Sequence, residues 1–135
     1  MDRTMSIEKL EAYRGLTSEM KALSQQITSL YDTYRSPQLM NNGSHSMSAS
    51  SPTESAVEKI LNLKKLYSKK YEEALDLLAE VESWLSTVDD VEIRSICRHH
   101  YILNKSWQQT SAIVYGYRSY YNARKRVMRY FGREK

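Results

Sequence analysis

The C-terminal end of the chain combines many basic side chains with a few that can hydrogen-bond to nucleic-acid bases. From residue 98 onwards the 135-residue sequence has nine Lys or Arg residues and one Asp or Glu, a net charge of +8. The whole chain carries a net charge of +4, so the preceding residues carry −4. A basic end on an acidic body is typical of a chain that binds a polyanion. The alternative is a solvated cationic face without a partner.

Helical spacing predicts that many of these side chains lie on one final helix, capped by Ser119. Its inner face is predicted by apolar side chains that recur every three or four residues: Tyr120, Ala123, Val127 and Phe131. The DNA major groove admits one helix, in which Arg reads guanine, Asn reads adenine, and Arg or Lys neutralises phosphates. We therefore predict base-facing residues near the helix start, at Arg118, Ser119, Tyr121, Asn122 and Lys125. We predict phosphate-facing residues further along, at Arg126, Arg129 and Arg133.

A second helix signal precedes this basic helix. Ser106 and Gln109 have the spacing of a capping box, which opens a short helix. The free amides at such a helix start would face a DNA backbone, so Gln108 and Gln109 join the predicted DNA-binding residues. Gly116 then offers a positive φ for a tight turn. The order helix, turn, short helix, glycine turn and basic helix predicts a helix-turn-helix domain in residues 89–135.

Two long amphipathic helices are predicted in residues 1–88. The first has a heptad seam at Tyr13, Leu16, Met20, Leu23, Ile27, Leu30 and Tyr34. The second keeps the same spacing at Val57, Ile60, Lys64, Tyr67, Tyr71, Ala74, Leu78, Val81, Leu85 and Val88. Five of the eleven tyrosines lie on apolar stripes and are predicted to be core residues: Tyr13, Tyr34, Tyr67, Tyr71 and Tyr120.

The two long helices are separated by a serine-rich segment, residues 36–53, which is predicted to be a loop. Ser51–Glu54 forms a capping box for the second helix. We expect an all-α protein in which the helices pair as a long, antiparallel, coiled-coil-like hairpin that dimerises or holds a partner. The same stripe would serve for pairing within one chain or between two chains.

Catalytic and metal-binding motifs are missing from the sequence. The acidic run at residues 89–92 is interpreted as a helix N-terminus, where negative charge is favourable. Cys97 and His100 lie one helical turn apart but lack further ligands, and His99 and His100 are interpreted as a polar helix face. No Gly-rich phosphate loop or nucleophile motif is present. We predict no enzyme activity, no cofactor and no metal.

The sequence also predicts the setting of the protein. Its single cysteine fits a reducing compartment, and no apolar run approaches the length of a membrane span or a signal core. We expect a cytoplasmic protein with no membrane partner.

Several motifs resemble those of small transcription regulators from phages of Gram-positive bacteria, the RinA/ArpU-like late-gene regulators. They are, in order, Tyr34–Pro37, a serine-rich gap, Pro52–Glu54, and then Arg94, Tyr101–Ile102 and Trp107. The resemblance implies a C-terminal domain similar to region 4 of sigma factors, in the bacterial host cytosol, with RNA polymerase as a further partner. In that pattern Arg94 and Tyr101 belong to the first helix, Trp107 opens the second, and 119–126 lie on the reading helix.

Three functions compete at this point. The first is a sequence-specific, double-stranded-DNA-binding phage transcription regulator that acts as a homodimer. The second is a small-terminase-type protein that binds a packaging site, since those proteins also join a helix-turn-helix to an oligomerising coiled coil. The third is a phage-encoded inhibitor or adaptor that applies its basic helix to an acidic protein surface. The operator and the sign of regulation stay open.

Overall fold

A computed structural model describes residues 5–40 and 54–133, which form helices with no strand among them. Two long helices come first, α1 (Ile7–Met40) and α2 (Glu54–Leu85). Three short helices follow: α3 (Val91–Cys97), α4 (Trp107–Tyr115) and α5 (Tyr121–Tyr130). A π-helical turn, Arg98–Ile102, continues α3. The predicted all-α class is confirmed, and within the described residues no helix has both the length and the apolar character to cross a membrane.

Contacts within the chain define two compact units. The first unit combines the chain up to Ser18 with the chain from Glu73 onwards, and the second is assigned to Glu19–Glu72. The start of α1 and the end of α2 thus belong to the same unit as the short helices. The predicted division after residue 88 separates a hairpin from a helix-turn-helix domain, and it stays a prediction.

The core of the first unit fixes the short helices. Leu10, Val81, Ile93 and Tyr101 are completely buried there. The Trp84 ring packs against this core, with its centroid 5.6 Å from that of Phe131. Burying one such side chain stabilises a fold by roughly 1.5–3 kcal/mol, so this cluster supplies the scaffold on which α4 and α5 are held.

Local capping signals set the limits of the short helices as predicted. Asp90 Oδ1 accepts a hydrogen bond of 3.2 Å from the Ile93 amide at the start of α3. The capping box of Ser106 and Gln109 is complete, with reciprocal hydrogen bonds of 3.0 and 2.9 Å. Gly116 ends α4 with a φ of 90°, a value at which a side chain would be strained.

Helix α1 extends further than predicted. It ends at Met40, so residues 36–40 are helical, where a serine-rich loop was expected. Extending an existing helix does not repeat the cost of nucleation, so a long helix can run into a weak sequence, even though Pro37 donates no hydrogen bond. The rest of the predicted loop and the capping residues 51–53 lie outside the described residues.

The buried face of α2 follows the predicted seam in part. Buried as predicted are Ile60, Ala74, Val81 and Leu85, together with Val88 just after the helix. The α1 seam is confirmed at Tyr13, Met20 and Leu23, which are buried. On α2, however, Tyr71 is 49% exposed and Val57 is exposed as well, while Ala56 next to it is buried. The apolar stripe of α2 is wide, so spacing alone could not determine which edge of it would face a neighbour. The Tyr34 side chain lies outside what the structure describes.

Candidate nucleic-acid interface

Helix α5 is held by a narrow apolar face. Ala123 and Val127 are completely buried, and Phe131 is half-buried against the core, as the spacing predicts. Tyr120 does not follow the prediction, because it is 44% exposed. It lies before the first turn of α5, and its ring packs beside the Arg124 guanidinium, 6.0 Å from the ring centroid. This residue therefore belongs to the surface around the helix start and not to the core.

Two serine hydroxyls satisfy backbone amides in the first turn of α5. The Ser119 hydroxyl accepts a 3.2 Å hydrogen bond from the Asn122 amide, the role expected of a cap, although α5 begins at Tyr121. The buried Ser111 hydroxyl of α4 accepts a second 3.2 Å hydrogen bond, from the Ala123 amide. Unpaired amides are costly to bury, so the second bond fixes α5 directly on α4. The role of Ser111 has no local signal in the sequence.

One side of α5 carries cations without a carboxylate partner. Asn122, Lys125 and Arg129 stand at i, i+3 and i+7, a spacing that places them on one helix face. Lys125 and Arg129 are exposed, and neither forms an ion pair with any residue in 5–40 or 54–133. Arg118 is also exposed, in the turn just before the helix. The structure thus brings together the Asn122 carboxamide and several positive charges that have no carboxylate partner in the described residues.

Two other predicted phosphate ligands are already paired. The Arg126 guanidinium donates to Asp90, and its Nε lies 3.3 Å from Glu92 Oε2. Arg133 pairs with Glu8, and that bond lowers the pKa of the Glu8 carboxyl. Within the described chain, Arg129 is thus the predicted phosphate-facing arginine that lacks a carboxylate partner.

The Asn122 side chain is held by its surroundings. Its amide nitrogen donates to the Tyr117 hydroxyl, across the turn between α4 and α5. An asparagine that reads adenine needs its carboxamide oriented in one way, because it must donate and accept at once. Beside it lies a shallow cleft of about 250 Å³ lined by one amide, one phenol and three cations: Tyr115, Asn122, Lys125, Arg126 and Arg129. Such a lining favours an anion.

The predicted residues at the start of α4 have different surroundings. The side-chain Oε1 of Gln109 accepts from the Ser106 amide and is therefore used within the capping box. Gln108 is half-buried and borders a second cleft, of about 410 Å³, together with Trp107 and Tyr120. Gln108 therefore lines a different cleft from the one beside Asn122, Lys125 and Arg129.

Three residues on which the resemblance to phage regulators depends, Arg94, Tyr101 and Trp107, have structural contacts in this fold. Arg94 donates a 2.7 Å hydrogen bond to the Val88 carbonyl, which ties α3 to the segment before it. Tyr101 is completely buried, and its ring meets that of Trp107 edge-on at 5.9 Å. These side chains therefore hold the start of α3 and pack the π-helical turn against α4.

His100 is buried, so its predicted place on a polar helix face is wrong. Its ring stacks on Trp107 with the centroids 3.5 Å apart, and Nδ1 hydrogen-bonds to the Lys105 carbonyl at 2.7 Å. Burial, and then the nearby Arg14 charge, lower the pKa of the imidazole to about 4. Arg14 also donates to the His100 and Lys105 carbonyls, at 3.0 and 3.3 Å. The widened π-helical turn is thus held from α1, a contact that sequence spacing does not reveal.

No metal centre is found in the described residues, where no three His, Cys, Asp or Glu side chains are arranged to hold an ion. Cys97 is buried, and burial raises the pKa of its thiol to about 12. The uncharged thiol is a poor ligand and a poor nucleophile at neutral pH.

Comparison of the chain with protein-family models, with curated proteins and with solved structures found no match. We therefore infer function from the residues of α4 and α5 themselves.

Proposed function

We propose that the chain is a sequence-specific DNA-binding protein in which α4 and α5 form a helix-turn-helix. The observation that carries this proposal is the face of α5, where Asn122 in the first turn is followed by Lys125 and Arg129, both exposed and without a carboxylate partner in the described chain. A recognition helix needs a base-reading side chain near its start and cations along the groove, and this face supplies both. The glycine turn at Gly116 supports the same arrangement.

The long helices are proposed to form an antiparallel hairpin that dimerises. Within the second unit, Glu19 pairs with Lys70 at 3.3 Å, and the Lys64 ammonium lies 5.0 Å from the centre of the Tyr31 ring. These partners run in opposite directions along the two helices, which supports the antiparallel pairing. The exposed Leu61 on α2 offers apolar surface to a second copy. A dimer would present two reading helices about one DNA turn apart, roughly 34 Å.

The biological role is proposed from the resemblance. Arg94, Tyr101 and Trp107 resemble the residues of the phage-regulator motif. The first is bonded to the segment before α3, and the other two pack the π-helical turn against α4. We propose that the protein regulates phage transcription through a sigma-region-4-like domain, in the host cytosol and with RNA polymerase as a second partner. The site contains no group that points to an enzyme.

Fluorescence anisotropy tests DNA binding directly. The purified full-length protein is titrated into labelled phage DNA fragments and a random duplex at several salt concentrations. We expect the logarithm of the binding constant to fall linearly with the logarithm of the salt concentration, by about 0.9 per phosphate contact. We also expect one fragment to bind more tightly than the random duplex. The position of that fragment distinguishes a promoter regulator from a packaging-site binder.

A matched pair of variants assigns the binding to α5. Replacing Lys125 and Arg129 together by Ala should lower the salt slope by about 1.8 and weaken binding at 0.1 M salt by about 60-fold. Lys69→Ala is the control, since that exposed lysine on α2 has no ion pair in the described chain and belongs to the other compact unit. If the wild type binds no DNA even at low salt, the DNA-binding proposal is wrong and a protein adaptor becomes the better explanation.

A further inference from the structure

A cluster of four side chains joins α5 to the other short helices. Arg126 of α5 donates to Asp90 Oδ2, and its Nε is 3.3 Å from Glu92 Oε2. The Tyr115 hydroxyl, at the end of α4, donates to the same Glu92 oxygen. The cluster therefore connects the start of α3, the end of α4 and the middle of α5.

Asp90 uses both of its carboxylate oxygens in this arrangement. Oδ1 accepts from the Ile93 amide and caps α3, while Oδ2 accepts from Arg126. The first of these bonds, and then the second, lower the pKa of the Asp90 carboxyl. Because one carboxylate holds the helix end and the guanidinium together, rotating α5 about its axis would break the ion pair with Arg126 or the cap of α3.

Release of Arg126 to a DNA phosphate would be unfavourable. It would leave the carboxylates of Asp90 and Glu92 without their cation and close to an approaching polyanion, and like charges repel. Lys125 and Arg129 are available without that cost, because neither is paired within the described residues. A phosphate in the cleft beside Asn122 would therefore meet those two cations first.

We propose that Arg126 is a positioning residue for DNA recognition and not a phosphate ligand. Through Asp90 and Glu92 it holds α5 at the rotation that presents Asn122 and Lys125 to the groove. This inference rests on the proposed DNA-binding function, and it changes the role expected for Arg126 from the sequence.

Salt dependence separates the two roles. Arg126→Gln should leave the salt slope unchanged, because no phosphate contact is lost, and should weaken binding of the preferred fragment about tenfold more than binding of the random duplex. The loss that both duplexes share comes from the uncompensated carboxylates of Asp90 and Glu92. The matched variant Arg129→Gln should lower the salt slope by about 0.9 and weaken binding to the preferred fragment and to the random duplex by the same factor. Glu92→Gln should lose part of the same preference, and the double variant should lose no more than Arg126→Gln alone, because the Arg126–Glu92 contact is one of the two that Arg126→Gln removes.

Each other outcome overturns the inference. A slope that falls by about 0.9 in Arg126→Gln would make Arg126 a phosphate ligand. If Arg126→Gln unfolds at a lower temperature but keeps its preference for the fragment, the role of Arg126 is structural only. If Arg126→Gln does not fold, Glu92→Gln carries the test, because it keeps the Asp90 ion pair. Absence of binding by the wild type would instead refute the DNA-binding function, and this inference with it.

Discussion

Acidification from pH 7 to pH 5 should destabilise the protein through His100. The imidazole is buried between Trp107 and the Lys105 carbonyl, and its pKa is lowered to about 4 by burial and then by Arg14. The carbonyl accepts from Nδ1, so the neutral ring carries its proton there. Charging the ring would add a proton at Nε2 inside a poorly solvated site beside an arginine.

The size of the effect follows from linkage. In the unfolded chain the His100 pKa is about 6.5, so between pH 6.5 and 4 the unfolded state binds more protons than the folded state. The contribution of the neutral His100 ring to the free energy of unfolding is therefore complete above pH 6.5, and it decreases as the pH falls from 6.5 towards 4. Between pH 7 and pH 5 the loss amounts to about 2 kcal/mol, and it changes little as long as the folded pKa stays at or below 5.

Urea unfolding at pH 7, 6 and 5 measures this loss. His100→Asn keeps a donor near the position of Nδ1 and removes the titration, so we expect its stability to be lower at pH 7 but nearly independent of pH in this range. His99→Asn is the control, since that half-buried neighbour bonds the Ser95 carbonyl and lies outside the stack. An equal loss of stability in the wild type and His100→Asn between pH 7 and pH 5 would refute the reasoning.

Three further substitutions test the interface and its scaffold. Tyr117→Phe removes the hydroxyl that holds the Asn122 amide, so discrimination at one base position should fall by about 1 kcal/mol with random-duplex affinity unchanged, as measured by anisotropy on substituted duplexes. Ser111→Ala leaves a first-turn amide of α5 unsatisfied and should cost about 1–3 kcal/mol in urea unfolding; no loss would mean that α5 does not depend on this bond. Val127→Ala should cost about 2 kcal/mol in the same assay, whereas exposed Val91→Ala should cost less than about 0.5 kcal/mol.

The parts of the fold that the sequence predicts well depend on residues within four positions of each other. Three features illustrate this: the cap at Asp90, the capping box of Ser106 and Gln109, and the turn at Gly116. Each depends on a hydrogen bond or a backbone angle within its own segment of the chain. Such signals are independent of how helices pack. The α1 seam is also predicted well, because its apolar residues form one narrow stripe and leave only one face of the helix to bury.

The predictions that failed required knowledge of the partner surface. Tyr71 lies on a helix with apolar residues around much of its circumference, and the structure leaves that side exposed. Tyr120 has the spacing of a core residue but precedes the helix that the spacing describes. His100 became a buried residue because Trp107 and Arg14 cover it, and neither contact has a local pattern. Periodicity identifies which residues share a face, but not which face meets another element.

The distribution of charge follows the same logic and affects function. The net charge of the C-terminal segment suggests that its cations act together, yet Arg98, Arg126 and Arg133 are each paired with a carboxylate distant in sequence. Lys125 and Arg129 have no carboxylate partner in the described chain. If all five were available, a polyanion could bind around the whole domain, in many orientations and with little sequence preference. In the proposed DNA-binding role, the internal acids neutralise three of the five cations, including Arg126 in the cleft beside Asn122. The attraction to DNA then comes from the two unpaired cations of that cleft, next to the one carboxamide that could read a base, and this favours a single orientation.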